Sequence, residues 1–300
     1  MPVRGIMLQK KLSIIIVNYN AGKYLIRCLK SLENNPAKSV CMEAVVVDNC
    51  SSDGSDVKMR EKFPWVKLIK SQENNGFAMA NNMGAKNSSG EYLLFVNPDI
   101  EFLPHSIDLM VDQLTKDSHV AAVAPQIISE DGSVYPSCWN FPNLIMETWD
   151  AIKFKKYFPK SKISLLRKRK FYMTQTFVEI ISGACLMVRR EAFDNIGGWD
   201  EDYFLYFEDD DLCYRLNRSG WLVEYYPESK VIHYGGKSTS QGGVSKARMY
   251  SGLFLFFKKH RGRLQTFLLT FVWMRKLLKY HAKYATNIFL IPQGKYERRK

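Results

Sequence analysis

Residues 12–20, LSIIIVNYN, form an apolar run that stops in a polar turn. An uninterrupted run of this kind is typical of a strand buried on both faces of a parallel sheet. Similar runs recur at residues 43–47 (EAVVV), 92–96 (YLLFV) and 120–124 (VAAVA), with a shorter one at 66–69. Helical segments separate them. This alternation predicts an α/β fold with a mostly parallel sheet flanked by helices on both faces.

Polar residues stand where these strands end. Asn18 and Tyr19 follow the first strand, Asp48 ends the second, and Asp99 closely follows the fourth. In open α/β sheets, ligands bind at the carboxyl ends of the strands, so these side chains are candidates for a binding site. Each has a plainer alternative, because Asp48 and Asp99 could cap the following turns and Tyr19 could simply pack.

The first strand is not followed by a Gly-x-Gly-x-x-Gly motif, which argues against a dinucleotide site of the Rossmann type. A bound diphosphate would then need another partner. Mg²⁺ or Mn²⁺ held by carboxylate oxygens is a suitable one.

Beyond Pro125 the strand–helix alternation stops. Residues 140–176 are aromatic and basic without a clear period, and we interpret them as a mobile insertion. Around this segment we expect a hairpin-like turn at 131–132, one strand over 178–188 that passes through Gly183, a short helix over 192–196, short strands over 221–226 and 230–233, and a helical C-terminal region.

The most unusual stretch is residues 204–220, FLYFEDDDLCYRLNRSG, in which Glu208 to Asp211 place four carboxylates in a row. Leu212 and Leu216 continue one face of a helix, and Gly220 is a suitable end. Acids in a first helical turn complement the helix dipole, but one or two are enough for that. Four adjacent carboxylates repel one another unless a cation or a basic group is near, so the run indicates proton chemistry or a metal.

The net charge of +13 is unevenly distributed. Residues 231–300 hold 15 Lys and Arg and one acid, Glu297, which gives a net charge of +14. Residues 153–170 hold nine basic residues and no acid, so the rest of the chain is acidic. Two basic segments on an acidic body suit an anionic partner, either nucleic acid or the inner face of a membrane.

The six cysteines are scattered without a C-x-x-C pair, which fits a reducing compartment and argues against a disulfide framework or a structural zinc site. Residues 1–11 lack the long apolar core of a signal peptide. No window reaches the ~18 consecutive apolar residues of a membrane span.

Seven segments of the chain together resemble the inverting family-2 glycosyltransferases of the GT-A fold, near their rhamnosyltransferase-like branch. They are LSIIIVNYN, VVVDNCSSDGS, NNGFAMANNMG, LLFVNPD, ISGACLMVRREAF, GGWDEDYFLYFEDDDLCYRL and VIHYGG, spread over about residues 12–260. Each segment is modest alone, but seven in this order and spacing are specific. The resemblance implies a GT-A fold, a nucleotide-sugar donor and a divalent metal, Mg²⁺ or Mn²⁺.

The resemblance also implies which residues hold the donor. By position, Asn18, Tyr19 and Asp48 would contact the base and the ribose. The nucleotide site would further be lined by Asn75, Gly76 and Asn82.

A metal site is implied by two further matches. Asp99 matches the second acid of the family's Asp-x-Asp motif, the one that ligates the metal directly. Asn97 stands where many members have the first acid, and an amide cannot supply negative charge. His233 matches a histidine that completes the metal site in some relatives, although it could instead be a satisfied histidine at a strand end.

In this family the Asp of a Glu-Asp pair is the general base. The resemblance therefore implies that Asp209 takes the proton from the acceptor hydroxyl and that Glu208 orients the acceptor or Asp209. Trp199 and Asp200 would help to form the acceptor side. Asp210 and Asp211 would be supporting or structural.

Residues 264–274 are apolar and lie between a basic cluster at 258–263 and Arg275, Lys276 and Lys279. The pattern is typical of a helix in the membrane interface with its cations toward anionic headgroups, although a helix packed on the domain would look alike. We expect a GT-A domain over residues 1–260 and a basic amphipathic extension over 261–300. The expected location is cytoplasmic, peripherally associated with the inner face of the cell membrane.

The sequence thus predicts transfer of a sugar, with L-rhamnose from dTDP-L-rhamnose favoured, to a lipid-linked or growing cell-surface polysaccharide. A UDP-hexose donor of the same fold and a non-catalytic scaffold subunit that binds a sugar nucleotide are the alternatives. Nucleic acid is not an expected partner, because no recognised nucleic-acid module accompanies the charge.

Overall fold

The structure is a computed structural model that describes residues 11–151, 170–235 and 243–283. Its first half alternates strand and helix, as the apolar runs predict. The elements are β1 (Lys11–Asn18), α1 (Gly22–Asn34), β2 (Cys41–Asp48), α2 (Ser55–Lys62), β3 (Lys67–Lys70), α3 (Gly76–Lys86), β4 (Tyr92–Val96), β5 (Ile100–Phe102), α4 (Ser106–Lys116) and β6 (Val120–Ile128).

The second half is more irregular. It contains β7 (Cys138–Trp139), α5 (Leu144–Ala151), β8 (Thr176–Phe177), β9 (Ile180–Ile181), β10 (Cys185–Arg189), α6 (Arg190–Asn195), α7 (Glu208–Arg218), β11 (Leu222–His233), α8 (Gly243–His260) and α9 (Gly262–Lys283). The acidic run is thus the first turn of a helix, α7, and the C-terminal region is two helices.

The main sheet has the strand order β3-β2-β1-β4-β10-β6-β11-β5, with β8 added on β11. Strands β3, β2, β1 and β4 are parallel, β10 runs antiparallel between β4 and β6, and β6 pairs in parallel with β11. The register of β1 and β2 sets Asn18 directly beside Asp48. The parallel half of the sheet therefore brings two of the predicted site residues together at its carboxyl edge.

Two apolar layers cover the two faces of the sheet. Because successive residues of a strand point to opposite faces, Ile14 packs with α1, α2 and α4 on one side, and Ile15 packs with the other layer. That second layer includes Leu212 and Leu216 of α7 and Phe256 of α8. Helix α7 is therefore anchored by its apolar face against the sheet, with its acidic first turn at one end.

The expectation of one strand over 178–188 is wrong. The chain forms two short strands with different partners: β9 pairs with β7, and β10 pairs with β4 and β6. Between them the N–H of Gly183 donates to a side chain of α7 instead of to a sheet partner. The expected strands at 221–226 and 230–233 are instead one strand, β11, whose pairing with β6 is irregular between Tyr226 and Lys230. Pro227, which has no N–H to donate to the ladder, lies at that irregularity.

Two helices of the expected insertion and extension pack on each other. Helix α5 lies within residues 140–176, and its Glu147 accepts a hydrogen bond from Nε1 of Trp273 on α9 at 3.1 Å. Residues 152–169 of the expected insertion lie outside the described residues. Helix α8 ends at His260 and α9 begins at Gly262, which has φ +81°. Within the three described ranges, no helix is both long enough and apolar enough to cross a membrane.

Candidate active site

Asn18 and Asp48 form a buried polar pair at the carboxyl edge of the sheet. Nδ2 of Asn18 donates to Oδ1 of Asp48 at 2.7 Å and to Oγ of Ser55 at 2.7 Å. The other carboxylate oxygen of Asp48 accepts from the N–H of Ser51 at 3.1 Å. Oδ1 of Asn18 is buried without a partner among the described residues. Buried acceptors are normally satisfied, so this unpartnered oxygen marks the carboxyl edge of β1 and β2 as a candidate ligand site. Tyr19 is half-buried beside them.

Asn75 and Gly76 lie next to this pair because Asn49 holds them there. Nδ2 of Asn49 donates to the carbonyl of Gly76 at 2.9 Å, and its Oδ1 accepts from the N–H of Asn75 at 2.9 Å. Gly76 has φ +79°, and a Cβ at this position would stand 2.4 Å from the carbonyl oxygen of Phe204. A glycine is therefore required where α3 begins against the loop that precedes α7.

Asn82 is engaged by the protein itself. Its amide donates to the carbonyl of Trp199 at 2.8 Å and accepts from the N–H of Trp199 at 3.0 Å. The side chain therefore fixes the loop of Trp199 and Asp200 on α3. Its contact with a nucleotide stays a prediction.

Asp99 and His233 face each other at 3.1 Å, from Oδ1 to Nε2. The pairing of β5 with β11 sets His233 opposite Ile100, one residue after Asp99, and the N–H of Tyr234 donates to the carbonyl of Asp99. Both side chains are almost fully buried. Nδ1 of His233 has no partner within the described chain. Buried polar groups of this kind normally serve a ligand or a specific interaction.

The Asp99–His233 pair fits two ligands of one divalent cation. Two adjacent ligands of an octahedral ion, each about 2.1 Å from it, stand about 3 Å apart, which matches the observed separation. A cluster of three or more His, Cys, Asp or Glu side chains suited to a metal is absent from the described residues. The remaining ligands would therefore include oxygens from elsewhere, as is usual when Mg²⁺ or Mn²⁺ bridges phosphates. Asn97, two residues before Asp99 in the sequence, is half-buried.

The acidic first turn of α7 is set up by unusual backbone. Tyr206 and Phe207, with φ +73° and +71°, both adopt the left-handed conformation that only glycine adopts easily. Such backbone persists only where the surroundings hold it, and it is concentrated at functional sites. Of the four carboxylates that follow, Glu208, Asp210 and Asp211 are buried, and only Asp209 is partly exposed.

Asp209 is held in place by two backbone donors. Its Oδ2 accepts from the N–H of Gly183 at 3.1 Å, and its Oδ1 accepts from the N–H of Asp210 at 3.1 Å. Desolvation raises the pKa of Asp209 above that of an ordinary aspartate. An oriented, partly exposed carboxylate with a raised pKa is suited to take a proton from a ligand.

Glu208 and Asp210 differ from Asp209 in their partners. Burial, and then the charge of Asp209, raise the pKa of Glu208 well above its usual range, and its Oε2 has no partner among the residues described. Burial and the same charge raise the pKa of Asp210, whose Oδ1 accepts from Nε1 of Trp139 at 3.1 Å. Both carboxyls therefore tend to keep their protons, which relieves the repulsion in the row.

Asp211 is a structural member of the row. It is fully buried between Nε of Arg215 and Nε2 of His260, each at 2.6 Å. The i,i+4 spacing of Asp211 and Arg215 is a signal that the sequence carries. Gly183, Trp139 and His260 come from distant segments, and no local pattern identifies them as partners of the acidic turn.

Trp199 and Asp200 lie beside the acidic turn but present different surfaces. The indole of Trp199 is 1% exposed and packs edge-on against Phe95 and Phe77, so it is a core residue on which the site rests. Asp200 pairs with Lys259 of α8 at 2.5 Å. A cavity of about 360 Å³ opens on this loop, lined among others by Asn82, Trp199 and Arg215. Contacts of Trp199 and Asp200 with an acceptor stay predictions.

The chain matches two family models of glycosyltransferases and is similar to proteins named as glycosyltransferases. The model of "Glycosyl transferase family 2" matches residues 13–197, and that of "Glycosyl transferase family group 2" matches residues 143–292. The N-acetylglucosaminyl-diphospho-decaprenol L-rhamnosyltransferase of Mycobacterium tuberculosis is 32% identical over 265 residues, which cover 84% of this chain and 85% of that protein. Rhamnosyltransferase WbbL of Escherichia coli is 28% identical over 53% of this chain and 61% of its own length.

Solved structures show the same fold at low identity. GalNAc-T7, determined with UDP, GalNAc and Mn²⁺, superposes with a TM-score of 0.61 at 16% identity, covering 94% of this chain and 55% of that one. The mannosyltransferase PcManGT of Pyrobaculum calidifontis, in complex with GDP-Man and Mn²⁺, superposes with a TM-score of 0.59 at 18% identity, covering 93% and 76%. By its sequence matches and its fold, the chain belongs to glycosyltransferase family 2 and is a glycosyltransferase of the GT-A fold.

Proposed function

We propose that this enzyme transfers L-rhamnose from dTDP-L-rhamnose to a lipid-linked acceptor in the synthesis of a cell-surface polysaccharide, with inversion at the anomeric carbon. The names of the M. tuberculosis and E. coli relatives support rhamnose, and the first of them supports a polyprenyl diphosphate acceptor. The observation that carries the chemistry is Asp209, the one partly exposed carboxylate of the acidic turn, held by the N–H of Gly183.

The donor nucleotide would bind at the carboxyl edge of β1 and β2. The unpartnered Oδ1 of Asn18 and the carboxylate of Asp48 are acceptors for N–H and hydroxyl groups of a base and a ribose. Tyr19 offers a ring at the rim of this edge. Asn75 and Gly76 would line the far side, since Asn49 fixes both of them there.

The donor diphosphate would be held at Asp99 and His233 through Mg²⁺ or Mn²⁺. When bound, such an ion neutralises charge that develops on the departing diphosphate. The 3.1 Å separation of Asp99 and His233 suits two ligands of such an ion, and Asn97, two residues before Asp99, contributes no charge.

Proton transfer would be performed by Asp209. As the acceptor oxygen forms its bond to the anomeric carbon, the bond from that carbon to the diphosphate oxygen breaks, and the hydroxyl proton passes to Asp209. Direct displacement of this kind inverts the anomeric centre. Burial, and then the charge of Asp209, raise the pKa of Glu208 and so favour its protonated form, which suits an orienting role better than that of a second base.

We propose that residues 261–300 form a basic amphipathic extension that lies on an anionic membrane surface, with residues 1–260 as the catalytic domain and the enzyme at the cytoplasmic face. The support comes from one face of α9. Five large apolar side chains on this face are between 40% and 71% exposed: Leu264, Phe267, Leu268, Phe271 and Met274. Their spacing follows the helical period, and Trp149 of α5 extends the same kind of surface nearby.

Basic residues adjoin this apolar face. Lys258 and Arg263 are exposed and, with Phe267, line one shallow cavity. Apolar side chains flanked by cations suit the headgroup region of an anionic bilayer, where a lipid-linked acceptor would be found. Arg275, Lys276 and Lys279, which the sequence adds to this pattern, lie beyond the described side chains.

A donor screen tests the proposed reaction. Purified enzyme with Mn²⁺ or Mg²⁺ is given dTDP-L-rhamnose, UDP-glucose, UDP-N-acetylglucosamine or GDP-mannose, with and without N-acetylglucosaminyl-diphospho-polyprenol, and nucleotide release is measured. We expect acceptor-dependent release of dTDP to be fastest. Faster release of UDP would replace the donor assignment. No release from any donor under any condition would favour a non-catalytic scaffold subunit.

A further inference from the structure

Three consecutive side chains at the junction of α8 and α9 contact three other segments of the chain. Nζ of Lys259 pairs with Asp200 at 2.5 Å and with Asp202 at 2.6 Å, on the Trp199 loop. Nε of Arg261 donates to the carbonyl of Pro142 at 3.0 Å, on the segment that follows β7. Between these two, His260 turns toward the acidic helix α7.

His260 is locked in one orientation by its surroundings. Its Nε2 lies 2.6 Å from Oδ1 of Asp211, and its ring packs between Tyr214 and Phe256, with centroids 4.4 and 4.9 Å away. The imidazole side chain is 13% exposed and Asp211 is not exposed at all. A short bond in a site this dry is much stronger than one at the surface, and its loss leaves a buried carboxylate short of a partner.

The contact continues beyond Asp211. The second carboxylate oxygen accepts from Nε of Arg215 at 2.6 Å, and Nη1 of Arg215 donates to the carbonyls of Ile196 at 2.8 Å and Gly198 at 2.7 Å. A chain of hydrogen bonds thus runs from His260 through the first turn of α7 to the start of the Trp199 loop. The first turn of α7 and the loop of Trp199 and Asp200 are therefore both connected to His260 by hydrogen bonds.

The backbone before α7 requires tertiary contacts to hold its conformation. Tyr206 and Phe207 are both in the left-handed region, so local preference does not fix where the first turn begins. Phe207 also lies against Phe256, one turn before His260 on α8. The position of Asp209, two residues before Asp211, is therefore set by tertiary contacts with the end of α8.

We infer that His260 is a positioning residue for the transfer reaction, which acts through Asp211 to hold Asp209 at the acceptor hydroxyl. This inference rests on the proposed role of Asp209 as the base. The junction of α8 and α9 then contributes to catalysis by positioning Asp209, in addition to the residues at the carboxyl edge of the sheet. His260 itself touches no reacting atom.

A pair of amide substitutions tests the inference. Gln carries its amide nitrogen near the place of the imidazole Nε2, whereas Asn reaches only to the place of Nδ1. His260→Gln can therefore still donate to Asp211, and His260→Asn cannot. We expect H260N to lower kcat by about 10–100-fold with the KM for dTDP-L-rhamnose unchanged, and H260Q to stay within about threefold of wild type. Leu253→Ala, a packing change in the buried face of the same helix, should lower Tm with little effect on kcat.

Three outcomes separate the possibilities. Equal kcat in H260N, H260Q and wild type would overturn the positioning role. Parallel losses of kcat and Tm in H260N, H260Q and L253A would make His260 merely structural and would overturn it as well. If Asp209→Asn retains full activity, the proposed base fails, whatever the His260 variants do.

Discussion

The carboxylate of Asp209 is bound at 3.1 Å by the N–H of Gly183, in the interruption between β9 and β10. The next residue, Ala184, accepts a hydrogen bond from the N–H of Asn97 at 2.8 Å. One short segment therefore connects the acidic turn of α7 with Asn97, which follows β4 and stands two residues before Asp99. The apolar run is broken at Gly183, whose N–H binds Asp209 and not a neighbouring strand.

The buried row of carboxylates gives a prediction about stability and pH. Burial and the charge of Asp209 raise the pKa of Asp210 in the folded state, so unfolding releases a bound proton and the folded state loses stability as pH rises through that pKa. Asp210→Asn keeps an oxygen for Nε1 of Trp139 but cannot ionise. We expect its Tm to match wild type near pH 4 and to exceed it by about 2–4 °C at pH 8. Thermal unfolding across this range measures the difference.

Asp131→Asn is the matched control for that experiment. Hydrogen bonds from Ser133 lower the pKa of Asp131 in the folded state, so its charge favours folding as pH rises. The control should therefore lose stability relative to wild type at high pH, opposite to Asp210→Asn. The same sign in both variants would contradict the account of the acidic row.

Gly76 provides a test of how α3 meets the loop before α7. We expect Gly76→Ala to destabilise the fold by about 3 kcal/mol, because it combines left-handed backbone strain with a Cβ only 2.4 Å from the carbonyl of Phe204. Gly132→Ala has the same φ of +79° with open space around it, so it should cost only about 1–2 kcal/mol. Urea denaturation of the two variants isolates the clash. Equal losses would show that the approach of Phe204 is unimportant.

Asn97 provides a test of the metal site by gain of charge. Asn97→Asp adds a carboxylate beside Asp99, so the Mn²⁺ concentration for half-maximal nucleotide release should fall by about tenfold. Asn74→Asp is the control, because it adds the same charge near the nucleotide edge while its oxygen can still accept from Asn49 and Gly76. A half-maximal Mn²⁺ concentration that is unchanged or higher in Asn97→Asp would contradict a metal at Asp99 and His233.

The exposed face of α9 gives a prediction about membrane binding. Phe267→Ser and Phe271→Ser combined should lower co-sedimentation with vesicles of anionic phospholipid by at least about fivefold, since two large apolar side chains are lost from the interface. Val57→Ser, a change at an exposed apolar residue on α2, should leave binding unchanged. Wild-type protein that does not bind these vesicles at moderate salt would contradict the membrane proposal.

The parallel half of the fold could be predicted from the sequence because its strands are buried on both faces. Adjacent strand residues such as Ile14 and Ile15 are both apolar because both faces of the sheet are covered. The same strand pattern predicts Asn18 and Asp48 at one edge of the sheet, and the structure pairs their side chains there. The family resemblance, confirmed by the family model and the relatives, supplied the GT-A fold.

The connections around α7 could not be predicted, because they join segments that are distant in sequence. The sequence predicts Gly183 inside a strand and shows His260 only as a member of a basic cluster, whereas the structure pairs them with Asp209 and Asp211. Hydrogen bonds of this kind depend on tertiary position and leave no periodic pattern. The left-handed Tyr206 and Phe207 oppose local preference, as is common where a site imposes its own geometry.

Single-turnover transfer by Asp209→Asn tests whether Asp209 is the general base of the reaction. The variant keeps the shape of the side chain and the oxygen that accepts from Gly183, so binding of dTDP-L-rhamnose, measured by calorimetry, should match wild type. Without a carboxylate to take the acceptor proton, the rate of transfer to N-acetylglucosaminyl-diphospho-polyprenol should fall by about 100-fold or more. A transfer rate near that of wild type would contradict the assignment of Asp209 as the base.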